Sequence, residues 1–182
     1  SHFPLAGSTI FLLPVAAGVP EAAAGLHWLT FAAVLTTVAR LSKNIGAGRW
    51  SWMAAILLGG TWHAPWMASI AGADHLVVLG VVVAAELWTA PAESGQRPWV
   101  AAGVALGLAL SSKYTAAVPV AALLIAAFAL CRPRREAIGA GAMALAMSSF
   151  WWVRNAATVG NPFHPLLWNW IGGGGWTAED YA

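Results

Sequence analysis

The sequence predicts an all-α, polytopic integral membrane protein with about six transmembrane helices, and three observations carry that prediction. Of 182 residues, 59% are hydrophobic and only 9% charged, against the roughly 25% charged residues of a soluble domain. The apolar residues fall into runs approaching the ~20 residues that a bilayer crossing needs. The Lys and Arg residues sort onto alternate turns between those runs, as the positive-inside rule requires.

Residues 1 to 20 are apolar but interrupted by Pro4, Gly7, Pro14, Gly18 and Pro20, which predicts a short interfacial or re-entrant helix around Ser8 to Ala17. Six crossings then fit a transmembrane domain spanning 1–153: 22–41, 50–70, 74–90, 98–112, 115–131 and 137–153. Gly59, Gly60 and Pro65 predict kinks inside the second. Residues 154–182, broken by Pro162, Pro165 and Gly172 to Gly175, form a tail outside the hydrocarbon. One set of turns holds Arg40, Lys43, Arg49, Arg97, Arg132, Arg134 and Arg135, whereas the other holds Lys113 and Arg154. The second set, with Asp74 and the tail, is therefore placed on the extracytoplasmic side. Most tryptophans fall at predicted helix ends, where an interfacial aromatic belt belongs.

Several function classes find no support. There is no Lys/Arg stripe, so nucleic acid is not an expected partner. Cys131 is the only cysteine; it reads as a small apolar filler, and no Cys/His metal spacing exists. Nucleophile-elbow, zinc-protease, Walker and Rossmann patterns are missing, and neither a metal nor a cofactor is expected. The opening residues Ser1 to Pro4 form neither a basic n-region nor an h-region, and they read as the interior of a longer protein.

The candidate site lies at the tip of a hairpin. An apolar run over 100–110 and another over 116–131 flank Ser111, Ser112, Lys113, Tyr114 and Thr115, with arginines behind. From Pro98 to Ser112 is 15 residues, or roughly 22 Å of helix, less than the ~30 Å hydrocarbon core. Lys113 is thus expected near the depth of lipid phosphates, where an ammonium calls for an anionic partner. Asp74, His75, Tyr114, Arg154, Asn155, Asn161 and His164 fall on the same side. Cations with a carboxylate to orient them suit an anionic lipid headgroup. Lys113, Arg154, Asp74 and Tyr114 are the candidate lipid-phosphate contacts. The rival roles are a helix N-cap for Asp74 and an interfacial anchor for Arg154 behind Trp151 and Trp152. Glu86, inside a predicted crossing, reads as structural and in need of a partner; His27 and His63 read as hydrogen-bonded packing residues.

Three blocks carry a resemblance: Gly103 with Gly107 to Thr115 (GLALSSKYT), Asp74 ahead of an apolar helix, and Trp152 to Asn155 followed by Gly160 to Pro165 (GNPFHP). Together they resemble the multi-spanning type C glycosyltransferases, near the bacterial protein O-mannosyltransferases and lipid A aminoarabinose transferases. The resemblance runs from about Phe3 to Leu167. It implies a partial type C membrane domain in a bacterial inner membrane, transferring a sugar from a polyprenyl-phosphate donor to an extracytoplasmic acceptor. The family's catalytic carboxylate sits in a first extracytoplasmic loop that would precede Phe3, so no catalytic residue is assigned within this chain. Lipid-phosphate sugar and membrane lipids are the expected partners. The alternative is a non-catalytic transmembrane accessory subunit of a larger membrane complex.

Overall fold

The computed structural model describes residues 6–69, 72–91, 98–130 and 133–174, and these are helical without a strand. The expected polar loop at 93–97, Cys131, Arg132 and the chain beyond 174 lie outside the described residues.

Helix α1 (Ala6–Ala16) occupies the Pro-interrupted opening and holds Pro14 within its last turn. Helix α2 (Glu21–Ser42) coincides with the first predicted crossing and is 22 residues long, roughly 33 Å. It passes into a π-helical segment, Lys43–Ala47, where Gly46 at φ 103° breaks the rod; only glycine takes such a backbone cheaply. A 3₁₀ turn, Gly48–Trp50, then starts α3 (Ser51–Gly60). Helix α3 folds back along α2, so closely that a Cβ placed on Gly59 would lie 3.3 Å from Leu35 Cδ1.

The second apolar run is not one helix. Helix α3 ends at Gly60, Thr61 is extended, and α4 (His63–Ser69) restarts with Pro65 inside. Gly59 and Gly60 therefore mark an end where the sequence predicts a kink. Helix α5 (Asp74–Thr89) leaves α4 at an angle of 119°. Helix α6 (Trp99–Ser112), a 3₁₀ turn (Tyr114–Ala116) and α7 (Ala117–Leu130) form the expected hairpin. Helix α8 (Arg134–Val159) continues past 153 and carries Arg154 and Asn155 in its last turns rather than in a tail. Gly160, at φ 77°, ends it with its N–H on Ala156 O, a left-handed C-terminal cap. A four-residue α9 (Trp168–Ile171) follows.

By length and composition, Glu21–Gly60 is the one described stretch able to cross a membrane, and a second qualifies if α4 and α5 form one broken span. The run 50–70 is split, and α6 and α7 have 14 residues each, roughly 21 Å. Helix length and apolarity thus deliver one or two crossings where the sequence predicts six.

Helix α6 is the centre of the packing. On one side Gly103 and Gly107 meet α8: a Cβ at Gly103 would fall 2.6 Å from Met143 Cβ and 2.7 Å from Ala140 O. One at Gly107 would fall 2.5 Å from Met147 Cβ. This is a Gly-x-x-x-Gly face against the small residues Ala137, Ala140 and Ala144, all buried, and it lets two backbones approach closely. On the other side Gly80 of α5 leaves no space for a side chain against Ala105 O and Ala109.

Glu86, the acid expected to need a partner, has one. Arg40 Nη2 lies 2.9 Å from Glu86 Oε1, and Asn44 Nδ2 donates to Glu86 O at 3.3 Å. The Glu86 side chain is 9% exposed and that of Arg40 72%. Removing the cation strands a buried carboxylate, whereas neutralising the acid strands only a solvated cation. Arg40→Ala should therefore lower the thermal midpoint more than Glu86→Gln does, measured side by side in detergent.

Candidate functional site

Helix α6 stops because Lys113 turns extended, at φ −161° and ψ 137°, while its N–H still closes on Ala109 O. The two serines before it are buried and spend their hydroxyls on backbone: Ser112 Oγ donates to Leu108 O at 2.7 Å and Ser111 Oγ to Met147 O at 3.4 Å. This leaves Lys113 as the charged group that the tip presents. Its Nζ reaches Asp74 Oδ1 at 2.6 Å. The two side chains are 45% and 41% exposed, so the anionic partner that helix length demands comes from the protein itself. A pair this open holds with only about 0.2–1 kcal/mol, and an incoming anion can compete for the ammonium.

Asp74 is not an N-cap. Ala73 occupies that position without a side-chain hydrogen bond, and Asp74 is the first helical residue of α5, where a carboxylate complements the helix dipole. A buried histidine fixes the turn that carries it. His27, 1% exposed, places Nδ1 2.9 Å from Ala68 O and Nε2 2.7 Å from Gly72 O. Its ring packs edge-on against Phe11 and His75, with centroids 5.2 and 4.9 Å away. It is thus the hydrogen-bonded packing residue its apolar helix predicts, and it ties the α4–α5 break to α2. Beside Asp74 opens a cavity of about 230 Å³, lined by Phe31, Val34, Leu58, His63, Met67 and His75 among others.

Tyr114, the next residue along the tip, points to the other end of the chain. Its hydroxyl donates to His164 O at 2.9 Å and accepts from Asn155 Nδ2 at 2.8 Å. Burial raises the phenol above its ordinary range, and the Asn155 hydrogen bond opposes that shift. The ring therefore stays neutral, and a donor, at physiological pH. Arg154 stacks over Trp151 at 5.7 Å, the contact expected of an anchor.

The structure thus joins Asp74 to Lys113, and Tyr114 to the helix turn that carries Arg154. The connecting residues, Asn155 and His164, are fully buried; both sit in the blocks that carry the resemblance, and that is the signal that marks them. Among the described residues no group of His, Cys, Asp and Glu is placed to hold a metal ion.

Residues 16–153 match the family of dolichyl-phosphate-mannose-protein mannosyltransferases. The match takes in Asp74, Lys113 and Tyr114 and stops one residue before Arg154. No curated protein and no solved structure matches the chain. The family match covers well over half of the 182 residues, and the chain therefore belongs to the dolichyl-phosphate-mannose-protein mannosyltransferase family, whose members are membrane-embedded glycosyltransferases.

Proposed function

We propose that this chain is part of the membrane domain of a glycosyltransferase that takes its sugar from a polyprenyl phosphate and delivers it to an acceptor on the extracytoplasmic side of a bacterial inner membrane. The observation that carries the reading is the weakly held Lys113–Asp74 pair at the hairpin tip. In the transfer, the acceptor hydroxyl gives its proton to the carboxylate that the resemblance places before Phe3, its oxygen bonds to the anomeric carbon, the bond from that carbon to the phosphate oxygen breaks, and polyprenyl phosphate departs. Lys113 neutralises the charge that develops on the departing phosphate. Asp74 holds the ammonium in place until the donor arrives. Arg154 is the further phosphate contact as a cation, and Tyr114 reaches the phosphate only by exchanging its bond to His164 O.

The topology proposed with it has six crossings, Arg40, Lys43, Arg49, Arg134 and Arg135 on the cytoplasmic side, and residues 154–182 on the other. The short helices α6 and α7 favour a tip at the depth of the lipid phosphates. The test is reconstitution of the full-length protein in vesicles with radiolabelled polyprenyl-phosphate mannose. Release of label from the lipid fraction, dependent on the protein, is expected. A protein that neither binds the labelled lipid nor releases the sugar is an accessory subunit, and that result overturns the reading.

A further inference from the structure

We propose that the closed loop from Gly160 to Gly174 is a membrane-interface cap whose apolar rim seats among lipid headgroups. Two observations carry the proposal, and neither depends on sugar transfer; what it needs is the membrane embedding of the family.

The first is that the loop turns Asn161 and His164 inward, while Asn169 stays exposed. Asn161 is fully buried and makes three backbone bonds: Nδ2 donates to Leu166 O at 3.0 Å and to Gly172 O at 2.9 Å, and Oδ1 accepts from Phe163 N at 2.9 Å. Gly174 N closes the loop on Val159 O at 3.1 Å, and Trp168 Nε1 donates to Gly173 O at 3.3 Å. Gly173, at φ 147°, lies against His164, where a Cβ would fall 2.5 Å from the ring. An irregular segment tolerates a low-dielectric environment only when its backbone is paired in this way.

The second is what the loop turns outward. Trp170 is 86% exposed, and Phe163, Leu166, Leu167 and Ile171 of the same loop are exposed as well. The patch continues onto α8 through Phe163, whose ring lies 5.9 Å from that of Trp152; the neighbouring Phe150 and Val153 are themselves exposed. A tryptophan-bearing apolar rim continuous with the outer face of a helix, in a membrane-embedded family, matches a headgroup-level anchor. Because Tyr114 bonds His164 O, the cap is tied to the hairpin that carries Lys113.

The test uses the full-length protein without other cysteines, in phosphatidylcholine vesicles, with Trp170→Cys or Leu166→Cys labelled by a bimane fluorophore. The second site keeps Trp170 and so survives a loss of anchoring in the first. At least one site should lose emission to shallow brominated phosphatidylcholine and be shielded from aqueous iodide. Quenching of both sites by iodide alone places the loop in water and overturns the proposal. Quenching of both by neither agent means that protein covers the rim, and it also overturns it. Adding Asn161→Ala should open the loop and restore iodide access; unchanged lipid quenching would remove Asn161 from the role given to it.

Discussion

Gly103→Ala should lower the thermal midpoint in detergent, while Gly141→Ala leaves it unchanged or raises it. Both replace a helical glycine by the best helix former, a change worth up to about 1 kcal/mol in favour of the helix. The difference lies in what the new methyl meets. At Gly103 it lands 2.7 Å from Ala140 O and 2.6 Å from Met143 Cβ, and neither the carbonyl nor a Cβ can rotate away. Helices α6 and α8 must separate, and the buried alanine face along α8 loses contact as a whole. Overpacking of this kind costs about 1–3 kcal/mol, enough to outweigh the gain in propensity. At Gly141 the methyl meets Leu124 Cδ1 at 3.6 Å, an ordinary contact with the end of a flexible side chain. Equal midpoints for the two variants would mean that the α6–α8 approach is looser than described.

Lys113→Ala should leave the protein folded and reduce sugar transfer by about 100-fold, close to 2.7 kcal/mol of transition-state stabilisation. Folding is spared because the Lys113–Asp74 pair is half-exposed on both sides and contributes little. Transfer suffers because the ammonium meets one phosphate charge in the bound donor and a second that develops as the phosphate leaves, so KM rises and kcat falls. Lys113→Arg restores part of the rate, since the cation remains but its geometry differs. Asp74→Ala should cost much less, because it removes only the group that holds the lysine. Wild-type transfer by Lys113→Ala, with unchanged melting, would remove Lys113 from the mechanism.

The site was legible in part. Lys113 stands out because it is the cation between two apolar runs, and Asp74 because it opens a helix after a very short turn. That they meet across 39 positions is not written in either neighbourhood; it follows from the α4–α5 break, which His27 ties down from α2. The same holds for Glu86, whose need for a partner is evident and whose choice of Arg40, 46 positions away, is not. Arg154 shows the converse: its chemistry suits a phosphate, yet its guanidinium stacks over Trp151, three residues earlier on the same helix. The Gly160 to Pro165 block was visible as a motif. Its physical content, one amide satisfying three backbone groups, became visible only with the loop closed.

What the sequence by itself determined is local: the apolar helical runs, a glycine break near Gly59 and Gly60, and a solvent that must be largely lipid. Each follows from composition or from spacing within one or two turns, where neighbours along the chain are neighbours in space. The tertiary structure alone decided that the run 50–70 divides into two helices, that α8 carries Arg154 within its helix, and which charges pair. Those outcomes depend on how far apart the glycines of α5 and α6 allow the backbones to sit, and on carbonyls brought to a side chain from elsewhere in the chain. Such distances are set by the packing of all the helices together and are not encoded at any single position.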